Sequence, residues 1–186
     1  MIQTLYAPFQ HWTEKGSLFL YSDTHFNGND CKLMDPNWPA PAEQIKIINR
    51  KVHPNDTLIL LGDIGNPNWV SEIQAKYKIL IKGNHDVGSS KYLPYFNEIY
   101  SGPLLISEKI LLSHEPIYGI NWCVNIHGHT HDSKGFKEDN YHYCVCSNTI
   151  NYTPLSLGEL IKGGLISSID NIHRLTINKR EAYDVP

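Results

Sequence analysis

The chain carries five short polar strings, each placed where an apolar run stops: Asp23-Thr24-His25, Gly62-Asp63, Gly83-Asn84-His85-Asp86, Ser113-His114 and Gly128-His129-Thr130-His131. Carboxylate and amide oxygens together with imidazole nitrogens make a mixed ligand set that suits divalent first-row metals without any thiolate. Two such ions can hold a phosphate ester and activate the water that attacks it. The chemistry these residue types point to is two-metal hydrolysis.

The strings differ in what each carries alone. Asp23 and His25 flank one residue, so a loop or strand end can offer an oxygen and a nitrogen to one cation, yet Asp-x-His also arises by chance. Gly62-Asp63 reads equally as a turn, although a carboxylate has lone pairs enough to bridge two ions. In Gly83-Asn84-His85-Asp86 the glycine permits a tight turn and three different polar groups follow. A plain turn accounts for Asn84 and Asp86 but not for His85. His127-Gly128-His129-Thr130-His131 is the most specific string, because histidines at alternate positions of an extended segment point the same way. A solvated strand end is its competing explanation.

The elements that must position these groups follow from periodicity. Leu18-Phe19-Leu20-Tyr21 and Thr57-Leu58-Ile59-Leu60-Leu61 are continuous apolar runs that read as buried strands, and Lys78-Ile79-Leu80-Ile81 delivers Gly83 to Asp86 in the same manner. Between them, Ala42 to Val52 has helical spacing at Ile45, Ile48 and Val52, and Asn68 to Tyr77 suits a second helix. This alternation predicts parallel pairing. Segments 103–107, 109–113, 123–127 and 141–147 follow without a convincing helix and predict a second, more antiparallel sheet. A short helix over Ser156 to Lys162, capped by Gly163-Gly164, and a last strand over Ile172 to Ile177 complete the reading. Ligands of open α/β sheets bind beyond the carboxyl ends of the strands, which is where the polar strings fall.

Composition sets the bounds. A chain of 186 residues fits one domain, 1–186, and buries roughly 70% of the surface its unfolded form exposes. A net charge of −3 leaves no basic field for a long polyanion, so strong nonspecific nucleic-acid binding is not expected. The N-terminus lacks a secretory pattern and no apolar run is long enough to span a membrane, which predicts a cytoplasmic protein without membrane contact. Cys31, Cys123, Cys144 and Cys146 lack paired zinc-ribbon spacing and read as reduced, structural thiols. Cys144 and Cys146 would face the same side of a strand. His11, His53, His142 and His173 have no partner at a ligand spacing, and Trp38, Trp69, Tyr95 and Trp122 read first as packing residues.

In their order, the five strings resemble those of the calcineurin-like metallophosphoesterase superfamily, whose pattern is Asp-x-His, Gly-Asp, Gly-Asn-His-Asp/Glu, His and Gly-His-x-His. They run from Asp23 to His131, and the short chain with its Ser-Asp-Thr-His-Phe opening is similar to the small prokaryotic and phage phosphoesterases of that group. The resemblance implies an α/β fold: a two-sheet β-sandwich flanked by helices on both outer faces, in four layers. It also implies that Asp23, His25 and His131 hold one metal, that Asn84, His114 and His129 hold another, and that Asp63 bridges both. His85 would sit near the substrate and protonate the leaving oxygen, with Asp86 orienting its ring. Several small members carry another histidine soon after the first motif, where this chain has Phe26-Asn27-Gly28-Asn29. Asn148 and Tyr152 are candidates for lining the cleft or for a structural role.

Two divalent ions, manganese, iron, nickel or zinc, are thus implied, with a bridging hydroxide as nucleophile on a small or exposed phosphate ester. A phosphodiester is favoured. The alternatives are a phosphomonoesterase on nucleotides or phosphoproteins and, in another class, a catalytically silent binding or scaffold module. Loops 30–41 and 113–122 are expected to set specificity.

Overall fold

The computed structural model describes residues 3–4, 16–107, 109–132 and 135–162. In chain order its elements are β1 (Gln3–Thr4), β2 (Leu18–Tyr21), α1 (Cys31–Met34), α2 (Pro41–Lys51), β3 (Thr57–Leu60), β4 (Tyr77–Ile81), β5 (Glu98–Tyr100), β6 (Leu104–Ser107), β7 (Ile110–Leu112), β8 (Val124–His127), β9 (His142–Cys144), β10 (Leu155–Ser156) and α3 (Leu157–Lys162). They build two five-stranded mixed sheets, ordered β10-β2-β3-β4-β5 and β1-β6-β7-β8-β9, with few helices, the α/β sandwich expected.

The first sheet follows from its sequence. β2 and β3 are buried along their whole length, which an apolar run without alternation requires and a parallel sheet covered on both faces provides. β2, β3, β4 and β5 pair in parallel, and only β10 runs antiparallel to β2. The crossover α2 opens with Pro at its first turn and buries Gln44, Ile45 and Ile48, the spacing that puts side chains on one helical face.

Two expectations need correction. Residues 68–77 do not form an α-helix: a 3₁₀ segment spans Pro67–Glu72, started by the Asn66 side chain accepting the Asn68 N–H. Beyond it, Asn49 Oδ1 and the Pro54 carbonyl accept the N–H groups of Gln74 and Lys76. Those donors are the ones a continuing helix would need. The second sheet is also less antiparallel than expected. Among the strand pairs of the described residues, β6 and β7 alone pair antiparallel, while β1–β6, β7–β8 and β8–β9 are parallel. Connections 113–123 and 128–141 are long enough to return the chain for parallel pairing, and they do so without an α-helix among the described residues.

One hydrophobic cluster draws on both sheets, from Leu20, Ile59 and Leu80 to Leu112, Ile126 and Val145. Each large aliphatic side chain buried there contributes about 1.5–3 kcal/mol. A bridge between Ser22 and Cys146 joins the strand ends of the two sheets where the polar strings emerge. Residues 163–164 and the strand expected over 172–177 lie outside the described residues. No helix among the described residues is long and apolar enough to cross a membrane.

Candidate metal centre

Four of the seven predicted ligands have a left-handed backbone: Asp23 (φ 56), His25 (φ 40), Asp63 (φ 53) and His129 (φ 69). Non-glycine residues rarely adopt this region, and when held there by their surroundings they cluster at functional sites. Here the turn directly after each strand swings the side chain into a common space. Neighbouring glycines clear that space, for a Cβ on Gly83 would run into Asp63 Oδ1 and one on Gly128 into Ser22 Oγ and Asp23 Oδ2.

Two groups of donors result. Asp23, His25 and His131 have ligand atoms within 4.8 Å of one another, and so do Asp63, His114 and His129. His131 Nε2 lies 3.3 Å and His25 Nε2 3.7 Å from Asp23 Oδ1. Asn84 joins the second group, with Oδ1 2.8 Å from His114 Nε2. Asp63 Oδ2 stands between the groups, 3.8 Å from His25 Nε2 and 3.4 Å from His114 Nε2. All seven predicted ligands are brought together.

The donor set fits divalent cations. Asp23 is fully buried, and its Oδ1 has no hydrogen-bond partner, an arrangement costly for a carboxylate unless a cation satisfies it. Its Oδ2, by contrast, accepts from Ser22 Oγ, Cys146 Sγ and the His129 N–H at 2.5, 3.1 and 2.9 Å. Tautomers are set from behind. His114 Nδ1 donates to the Leu61 carbonyl at 2.7 Å and His131 Nδ1 to Asn148 Oδ1 at 3.1 Å, so each Nε2 faces the centre. Such partners fix the ring and raise its basicity as a ligand.

Charge is concentrated here. Burial acts to raise the Asp23 carboxyl, but His131 and His25 outweigh it and hold the group well below the usual carboxylate range. Asp63 is likewise lowered against burial, chiefly by His114. Burial acts to lower His114, yet Asp63 and Asp23 push it up to about 9.

His85 stands at the rim, its side chain 69% exposed and Nε2 3.9 Å from Asp63 Oδ2. Asp86 does not orient it. The Asp86 carboxylate turns inward and accepts the N–H groups of Asp63 (2.7 Å), Ile64 (3.1 Å) and Gly83 (2.9 Å) and the Tyr92 hydroxyl (2.7 Å). Three backbone donors at a turn are a stronger claim on a carboxylate than an exposed ring, which water solvates.

Tyr152 bonds Asp35 and packs on Trp38, and the buried Trp38 ring lies 5.9 Å from His25 and 5.8 Å from His131. Tyr152 packs behind Trp38, and Trp38 stands against the candidate ligand rings. Residue types alone missed Ser22, Cys146 and the inward role of Asp86. The only sequence signal for Ser22 is its place directly before Asp23.

No functionally curated protein matches the chain. Among solved structures, a protein of unknown function from Aquifex aeolicus is similar over 80% of this chain and 99% of its own, at 24% identity and a TM-score of 0.63. The nuclease MPE of Pseudomonas putida is similar over 61% of this chain and 60% of its own, at 20% identity and a TM-score of 0.41. The family model for calcineurin-like phosphoesterases matches residues 17–184. With that match extending over nearly the whole chain and the ligand geometry in place, the chain belongs to the calcineurin-like phosphoesterase family.

Proposed function

We propose that this protein hydrolyses a phosphodiester at a centre of two divalent ions, one held by Asp23, His25 and His131, the other by Asn84, His114 and His129, with Asp63 shared. The observation that carries the reading is the position of Asp63 Oδ2, within 3.8 Å of a nitrogen of each donor group. When bound there, such ions supply Lewis acidity toward the phosphoryl group and lower the pKa of water.

The remaining steps fall to the chain itself. Asn148 and the Leu61 carbonyl hold His131 and His114 in the tautomer that presents Nε2. His85 Nε2, at the open rim, gives a proton to the departing oxygen. Asp23 Oδ2 stays locked by three donors, so Oδ1 keeps its direction through turnover.

One feature favours a diester. A recess lined by Phe26, Lys32, Trp38, Pro39 and Gln44 adjoins His25 and offers room for an organic substituent. Loop 30–41 thereby takes a part in specificity, and a cytoplasmic location agrees with the free cysteines.

Paired assays test the reading. With manganese added, bis-p-nitrophenyl phosphate should turn over faster than p-nitrophenyl phosphate. The reverse order would make the protein a phosphomonoesterase, and inactivity on both across a metal screen would leave a binding module.

A further inference from the structure

A second set of metal-ligating side chains meets outside the seven donors. β8 and β9 pair in parallel with His127 opposite Cys144, so both side chains stand on one face of the sheet. Segment 136–138 folds back on β9 through the Lys137–Tyr143 bridge, with the Phe136 carbonyl accepting the Cys144 N–H at 2.7 Å and the His142 carbonyl accepting the Glu138 N–H at 3.0 Å. That return places Glu138 over the pair, and the ligand atoms of His127, Glu138 and Cys144 lie within 4.8 Å of one another.

His127 gives the independent sign. The residue is 0% exposed. Its Nδ1–H donates to the Gly128 carbonyl at 2.8 Å, which leaves Nε2 to point into the cluster, and Nε2 has no hydrogen-bond partner. Its neighbour Glu138 Oε2 is 3.4 Å away. Imidazole nitrogen and carboxylate oxygen bound to one tetrahedral ion at about 2.0–2.2 Å stand roughly 3.3 Å apart. The other Glu138 oxygen is occupied by the Thr130 hydroxyl at 2.6 Å, and Thr149 Oγ1 donates to Cys144 Sγ at 3.5 Å. These are the outer partners that steady first ligands.

We propose that His127, Glu138 and Cys144 form a third divalent-metal site, separate from the dinuclear centre and selective for a zinc-like ion. A thiolate beside an imidazole favours softer cations than the thiolate-free nitrogen and oxygen donors of the paired sites do, so the two centres take different metals from a mixed pool. Three protein ligands leave a fourth position to solvent. On binding, the Cys144 thiol loses its proton to solvent as the sulfur–metal bond forms. The ion would fasten β8, β9 and segment 136–138 around Thr130, the residue between ligands His129 and His131.

Cobalt(II) reports the site directly. Metal-stripped protein titrated with cobalt should develop a thiolate-to-cobalt charge-transfer band in the near ultraviolet and bind one equivalent more than Cys144→Ser or Glu138→Gln. The band should survive in Cys146→Ser and in Asp63→Asn, the latter disrupting only the dinuclear centre, so failure of one site is distinguished from failure of the other. A wild-type protein without the band, or a band that persists in Cys144→Ser, would overturn the proposal. Should Cys144→Ser fail to fold, the wild-type spectrum and the Cys146→Ser control still decide it.

Discussion

The Asp86 carboxylate accepts the backbone N–H of Asp63 at 2.7 Å, and Asp63 is the residue that joins the two donor groups. This bond, with those from Ile64 and Gly83, holds the turn in which Asp63 keeps its left-handed backbone. Replacing Asp86 by Asn exchanges one acceptor oxygen for a donor and should cost about 1–3 kcal/mol, read by urea unfolding. Activity should fall by a similar factor on good and poor leaving groups, because Asp63 moves and His85 does not. A loss confined to poor leaving groups would mean that Asp86 acts through His85.

His85→Ala should retain its metals and lose about 10²–10⁴-fold in rate on esters with poor leaving groups, while nitrophenyl esters suffer far less. A plot of rate against leaving-group pKa for both proteins checks this. Parallel lines would remove His85 as the acid.

Gly83→Ala tests the space that the bridging carboxylate needs. A Cβ there collides with Asp63 Oδ1 and approaches Asp63 N to 2.7 Å. Overpacking at such a site costs about 1–3 kcal/mol, and metal content by elemental analysis should drop with it. Full metal content and wild-type stability would show that the turn relaxes freely.

Proton linkage gives a pH signature. Burial acts to lower His114, but Asp63 and Asp23 push it up to about 9. A folded-state value raised above the unfolded one of about 6.5 stabilises metal-free protein fully below that lower pH, and the benefit is lost as pH rises through about 9. Metal must displace that proton, so affinity for metal should climb over the same window, with protons released on binding near neutrality. Calorimetry in buffers of different ionisation heat measures the release; its absence would contradict the charged state assigned to His114.

The first sheet and the gathering of the seven candidate donors were legible because both rest on local signals: apolar runs that end at a turn, and polar groups directly after them. Asp63 and His129 show how far this reaches, since strand ends on two different sheets still converge on the same cleft. The inward turn of Asp86 was not legible, because its choice between backbone donors and the His85 ring depends on a turn brought from another strand. Residues 68–77 misled for a related reason: Asn49 and Pro54, distant in sequence, take the donors of a would-be helix. Parallel pairing of β7, β8 and β9 lacked the intervening helices that normally announce it.

The central claim is that donors spread from Asp23 to His131 close around two ions with Asp63 between them. Anomalous diffraction from crystals of manganese-loaded protein tests it most directly. Two peaks roughly 3.5–4 Å apart, one on either side of Asp63, are the predicted result. A single peak, or peaks that Asp63 does not touch, would contradict the account.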